Sequence, residues 1–107
     1  LEFVFARDYE LTVAERDGEP AGFALIIYDL PDEVTLAEQC YVIYMAVEPA
    51  YRRAGIGRAL LARVEELARG RGLPYLTLMV TEENDAAREL YAASGFATER
   101  RMMTKVL

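Results

Sequence analysis

Apolar positions recur along this chain with two different periods, and the period changes mark its elements. From Tyr9 to Glu15 apolar and polar residues alternate roughly every second position, which predicts a half-buried strand. Asp17-Gly18-Glu19-Pro20 is turn chemistry. Ala21 to Tyr28, dense in Phe, Leu and Ile, reads as the second arm of a hairpin. Asp29 to Gln39 is acid-rich, contains Pro31 and reads as an exposed loop. Cys40 to Val47 is apolar on both faces, as a central strand requires, and Pro49 ends it.

The period then lengthens. Ile56, Leu60, Val64, Leu67 and Ala68 share one face of a helix from about Gly55 to Arg69, and Gly70 and Gly72 stop it. Tyr75 to Val80, entered through Pro74, predicts a fourth strand. Asn84 to Ser94 predicts a second helix with Ala87, Leu90 and Tyr91 on one face and Gly95 as its left-handed cap. Phe96 to Thr98 and Met102 to Leu107 read as a closing hairpin. The expected fold is α/β (α+β in some schemes), in the order β-β-β-α-β-α-β-β. The strand-helix-strand unit from 40 to 80 should be a right-handed parallel crossover.

Composition narrows the classes. The chain has 107 residues, which fits one domain, and is 53% hydrophobic, enough for a core. Its apolar runs, Phe23 to Tyr28 and Cys40 to Val47 among them, fall far short of the roughly 20 residues that span a bilayer, so no membrane role is expected. No secretion-signal pattern opens the chain, and Leu1 is not a natural start, which suggests a trimmed chain or a piece of a longer one. There is no His, one Cys (Cys40) and one Ser (Ser94). Ser-His-Asp and Cys-His nucleophiles and a zinc site of the usual ligands are excluded by that inventory. A single thiol suits a reducing cytoplasm.

The net charge of −6 is unevenly placed. Residues 1–50 carry eleven acids against Arg7 and Arg16, whereas six of the ten later bases fall between Arg52 and Arg71. The overall sign argues against nucleic-acid binding. The local basic segment fits a small polyanion, with a solvated helix face as the plainer alternative.

That segment contains Arg52-Arg53-Ala54-Gly55-Ile56-Gly57-Arg58, a glycine-bearing loop between a buried strand and a helix. The first N–H groups of a helix lack partners and carry partial positive charge. Glycines let phosphate oxygens come close, and three arginines add charge. A nucleotide P-loop needs Gly-Lys-Ser/Thr, yet Gly57 is followed by Arg58-Ala59. The dinucleotide fingerprint needs a small residue where Leu60 stands.

Here the sequence resembles the GCN5-related N-acetyltransferase (GNAT) family. Arg52-Arg53-Ala54-Gly55-Ile56-Gly57 matches that family's Arg/Gln-x-x-Gly-x-Gly/Ala signature. Asn84-Asp85-Ala86-Ala87-Arg88-Glu89-Leu90-Tyr91 through Gly95-Phe96 is similar to its later Asn…Ala…Leu-Tyr…Gly-Phe block, and Tyr41 to Val47 to its central strand. The resemblance spans roughly Leu11 to Leu107. It implies a GNAT-like mixed central sheet, acetyl-CoA as donor and a primary amine, of a small molecule or a protein, as acceptor.

The resemblance also implies roles. The N–H groups and charges of Arg52, Arg53, Ala54, Gly55, Ile56, Gly57 and Arg58 would hold the pyrophosphate. The backbone of Met45, Ala46 and Val47 would pair with the pantetheine arm between two strands that splay apart. Asn84 would hydrogen-bond the cofactor, and Tyr91 would protonate the departing thiolate. Glu48, just after the central strand, is a candidate for helping deprotonate the amine, with a surface acid as the alternative. Asn84 is equally an ordinary helix cap, and Tyr91 an ordinary core residue.

Two departures stand out. The family's opening strand and two helices are missing before the hairpin, which leaves trimming, disorder or completion by another chain, a homodimer included. Relatives that acetylate protein N-termini often carry Glu five residues before the motif Asn, where this chain has Met79. The competing readings are a non-catalytic acetyl-CoA-binding module and a ligand-free structural domain.

Overall fold

The computed structural model describes residues 2–107. A short helix, α1 (Glu2–Phe5), leads into strands β1 (Tyr9–Arg16), β2 (Glu19–Ile27) and β3 (Cys40–Val47). A 3₁₀ turn at Pro49–Tyr51 precedes helix α2 (Ile56–Gly70), strand β4 (Leu76–Thr77) and helix α3 (Asp85–Ala93). The sheet order is β1-β2-β3-β4, antiparallel except for the parallel β3–β4 pair across α2.

The hairpin forms because Asp17 and Gly18 both take positive φ, 54° and 80°, the geometry that matches strand twist in a two-residue turn. β2 is buried on both faces. Ala24, Ile26 and Tyr28 join Cys40, Val42 and the α2 residues Leu60, Val64 and Ala68 in one cluster. Leu25 and Ile27 face the other way and meet Val4 of α1. Each buried Leu or Val side chain contributes about 1.5–3 kcal/mol by leaving water, so this stripe holds α2 to the sheet. Gly22 sets how closely they meet, since a Cβ there would lie 2.7 Å from the Ala46 carbonyl and 3.2 Å from Ile56 and Leu60.

The start of α2 and the packing of β3 at the sheet interior follow the sequence pattern, and three expectations change. A helical turn, α1, stands before the hairpin where no element was expected. β4 is two residues long rather than Tyr75 to Val80. The closing hairpin of Phe96–Thr98 and Met102–Leu107 does not form, because residues 97–107 are exposed and without regular structure. Glu99-Arg100-Arg101 offers none of the Gly, Asn or Asp that a tight turn needs. The apolar residues there come in adjacent pairs, Met102-Met103 and Val106-Leu107, and cannot share one strand face. Arg100 instead reaches back to Asp32, 2.9 Å away.

No described helix is long and apolar enough to cross a membrane.

Candidate active site

The functional geometry begins where β3 and β4 part. Their ladder holds two pairs, Cys40 with Leu76 and Tyr41 with Thr77. On its other edge β3 bulges, since Leu25 pairs with Tyr44 but Ile26 with Val42, leaving Ile43 extra. A bulge bends its strand. Past Thr77 the two chains separate, and a cleft of 240 Å³ opens between them. Val42 to Met45 line one wall, Leu78 to Thr81 the other, and Asn84, Ala87 and Tyr91 of α3 stand over it.

Beyond the end of β3, past the turn at Pro49–Tyr51, lies the glycine loop. Arg53 and Gly55 both take left-handed backbone, φ 67° and 82°. Gly55 is the residue before α2 and offers no side-chain cap. Among the described residues, no backbone acceptor meets the N–H of Arg53, Gly55, Ile56, Gly57 or Arg58. Arg52, Arg53 and Arg58 are exposed, and none is in an ion pair among the described residues. Unpaired N–H groups, a helix dipole and three guanidinium groups are the chemistry that suits an anion.

The two motif glycines differ. Gly55 has open space around its missing Cβ and is there for its backbone angle. Gly57 is there for contact: a Cβ would lie 2.9 Å from Leu90 Cδ2 of α3 and 3.9 Å from Val47 Cγ2. Gly57 therefore lets α3 dock beside the end of β3, which brings the anion loop next to Tyr91's helix. Ile56 sends its side chain into the core cluster, so only its N–H faces the loop's task.

Asn84 caps α3, its Oδ1 accepting from Ala87 N at 3.2 Å. That leaves the side-chain nitrogen without a partner among the described residues, on a residue that also lines the cleft. Tyr91 is half-buried and edge-on to Phe96, ring centroids 5.8 Å apart. Burial pushes its phenol above the ordinary 10.0, so it stays protonated at neutral pH. Met45 lines the cleft, whereas Ala46 and Val47 lie beyond its lining, on β3 toward the loop. Ala54 is exposed in the loop. Glu48 is exposed outside the cleft, and its N–H donates to the Ala21 carbonyl at 2.8 Å.

Sequence reasoning did not single out the second wall, Leu78 to Thr81, because Leu78 to Val80 read as part of the strand Tyr75 to Val80. It also missed Gly22, which stands in no motif.

The profile of the acetyltransferase (GNAT) family matches residues 1–96. The chain belongs to this family. A GNAT relative, an acetyltransferase of Yersinia pestis, is 33% identical over 91 residues, covering 85% of this chain and 60% of that protein. The chain thus spans less than two thirds of that relative. A Pyrococcus furiosus protein assigned as an acetyl transferase superposes with a TM-score of 0.87 at 28% identity, covering 99% of this chain and 71% of the other. An aminoglycoside N-acetyltransferase solved with CoA superposes at 0.80, with 21% identity and 99% and 81% coverage, which shows a shared fold.

Proposed function

We propose that this chain is the cofactor-binding core of an N-acetyltransferase that moves an acetyl group from acetyl-CoA directly to a primary amine. One observation carries the reading: a cluster of unpaired N–H groups and arginines lies beyond the end of β3, and a cleft runs along the part of that strand that β4 leaves unpaired. A ligand that fits both needs an anionic head and an extended arm with amide groups, and CoA has that build. GNAT membership and the relative solved with CoA support the donor, and an aminoglycoside is itself an amine-bearing acceptor.

The residues divide the work. The N–H groups of Arg53, Gly55, Ile56, Gly57 and Arg58 and the Arg52, Arg53 and Arg58 side chains hold the pyrophosphate, whereas the Ala54 N–H already donates to the Tyr51 carbonyl at 3.3 Å. The unpaired edge of β3 at Met45, Ala46 and Val47 orients the arm, and the free Asn84 nitrogen donates to it. The acceptor nitrogen attacks the thioester carbonyl, the carbon–sulfur bond breaks, and the Tyr91 phenol donates to the departing sulfur. The thiol's ordinary pKa of about 8.5 makes that sulfur a fair leaving group, so no enzyme nucleophile is needed. An alkylamine must lose a proton first, and Glu48 or water takes it.

Calorimetric titration with acetyl-CoA tests the donor, with Arg53→Glu/Arg58→Glu as the control because both side chains are exposed and their reversal leaves packing alone. Micromolar binding that the control weakens tenfold or more (about 1.4 kcal/mol) supports the reading. A folded wild-type chain that gives no binding heat sinks it. Turnover with a panel of amines, Tyr91→Phe beside wild type, then separates transfer from mere binding.

A further inference from the structure

The cleft depends on where β3 and β4 part, and a buried side chain stands at that vertex. Gln39, the residue before β3, is buried. Its Nε2 donates to the Leu30 carbonyl at 3.1 Å, and its Oε1 accepts from Thr77 Oγ1 at 2.7 Å. The carbonyl can only accept, so the amide's orientation is fixed, and both ends are satisfied. Thr77 is the last paired residue of β4, and the next residue, Leu78, already lines the cleft. Only two residue pairs otherwise join the strands, so this bond is a large part of what locates β4. A desolvated amide bonded at both ends holds one geometry, where an apolar contact would tolerate several.

We propose that Gln39 is a positioning residue: through Thr77 it fixes the vertex of the splayed strands and thereby the spacing of the two cleft walls that receive the pantetheine arm. The proposal rests on the acetyl-CoA reading above. It predicts an effect confined to the arm, because the anion loop sits at the other end of β3 and makes no contact with Gln39.

Gln39→Leu and Thr77→Val each remove the bond, and Thr77→Ser keeps the hydroxyl. Each variant is titrated with acetyl-CoA and, separately, with adenosine 3′-phosphate 5′-diphosphate, the half of CoA that lacks the arm. Gln39→Leu and Thr77→Val should each weaken acetyl-CoA about tenfold while the nucleotide half stays within about twofold. Thr77→Ser should bind as wild type does. The double variant should be no weaker than either single, since all three lose the same bond. Should Gln39→Leu fail to fold, the Thr77→Val and Thr77→Ser pair decides the matter. Equal weakening of both ligands, or acetyl-CoA affinity unchanged in folded Thr77→Val, overturns the positioning role and leaves the cofactor reading standing. A wild-type chain that binds the nucleotide half but not acetyl-CoA overturns that reading, and this proposal with it.

Discussion

Helices α2 and α3 are both amphipathic, yet they are anchored very differently. α2 buries Leu60, Leu61, Val64 and Ala68, whereas no residue of α3 is fully buried. On the proposed reading, α2 serves the site chiefly through the backbone of its N-terminus, with the Arg58 guanidinium beside it. α3 serves it through side chains, Asn84 and Tyr91, on a helix held by Leu90 against Gly57 and by the Phe96 contact. If that reading holds, the difference teaches a division of labour: the heavily packed helix supplies fixed dipoles, and the lightly packed one supplies the groups proposed to meet the reacting atoms.

That division can be broken by substitution. The largest effect belongs to α2. Leu60→Ala removes a side chain 2% exposed in the main cluster and should cost about 3 kcal/mol, read as a lower urea midpoint. Tyr91→Phe should do the opposite, cutting turnover about a hundredfold while thermal stability stays near wild type. If it instead unfolds the protein at Leu60→Ala's cost, α3 is as load-sharing as α2 and the contrast fails. Asn84→Ala should cost about 1 kcal/mol through the lost cap. Asn84→Ser restores a cap oxygen but no amide nitrogen, so recovery of stability without recovery of acetyl-CoA affinity separates its two duties.

The smallest effect lies outside both helices. Asp32 titrates at about 2 against an ordinary 3.8, chiefly because the Thr35 and Val34 N–H groups donate to its carboxylate, with Arg100 adding to this. A depressed carboxyl stabilises the fold fully above its ordinary value and loses that contribution as pH falls toward about 2. Asp32→Asn should therefore flatten the melting curve's acid limb below about pH 4 and leave neutral-pH cofactor binding alone. A change in acetyl-CoA affinity at neutral pH, beyond the lost stability, would mean that the Asp32–Arg100 tie steers the cleft.

The legible parts of the molecule were those fixed by local pattern. Cys40–Val47 carries its own ends, an acid-rich loop before and Pro49 after. α2 carries its face in the spacing from Ile56 to Ala68. The glycine loop before α2 was legible because Gly55 takes a left-handed angle and Gly57 leaves no room for a side chain. β4 was not, because Leu78 to Val80 have strand composition and lack only a partner, which the bulge at Ile43 and the departure of β3 withhold. The tail failed similarly, for Met102 to Leu107 are apolar but meet no paired edge. Gln39 and Gly22 act through contacts with residues far along the chain, and no short motif announces either.

Cys40 has one more consequence. It is the chain's single cysteine, fully buried, and burial pushes its thiol up to about 11, so it holds its proton at neutral pH. Folded residues 1–107 should thus react slowly with maleimides. A cysteine introduced by Ala92→Cys, on the exposed part of α3, would be the one position to take a fluorophore, and its emission would follow that helix in real time as a ligand enters beneath it.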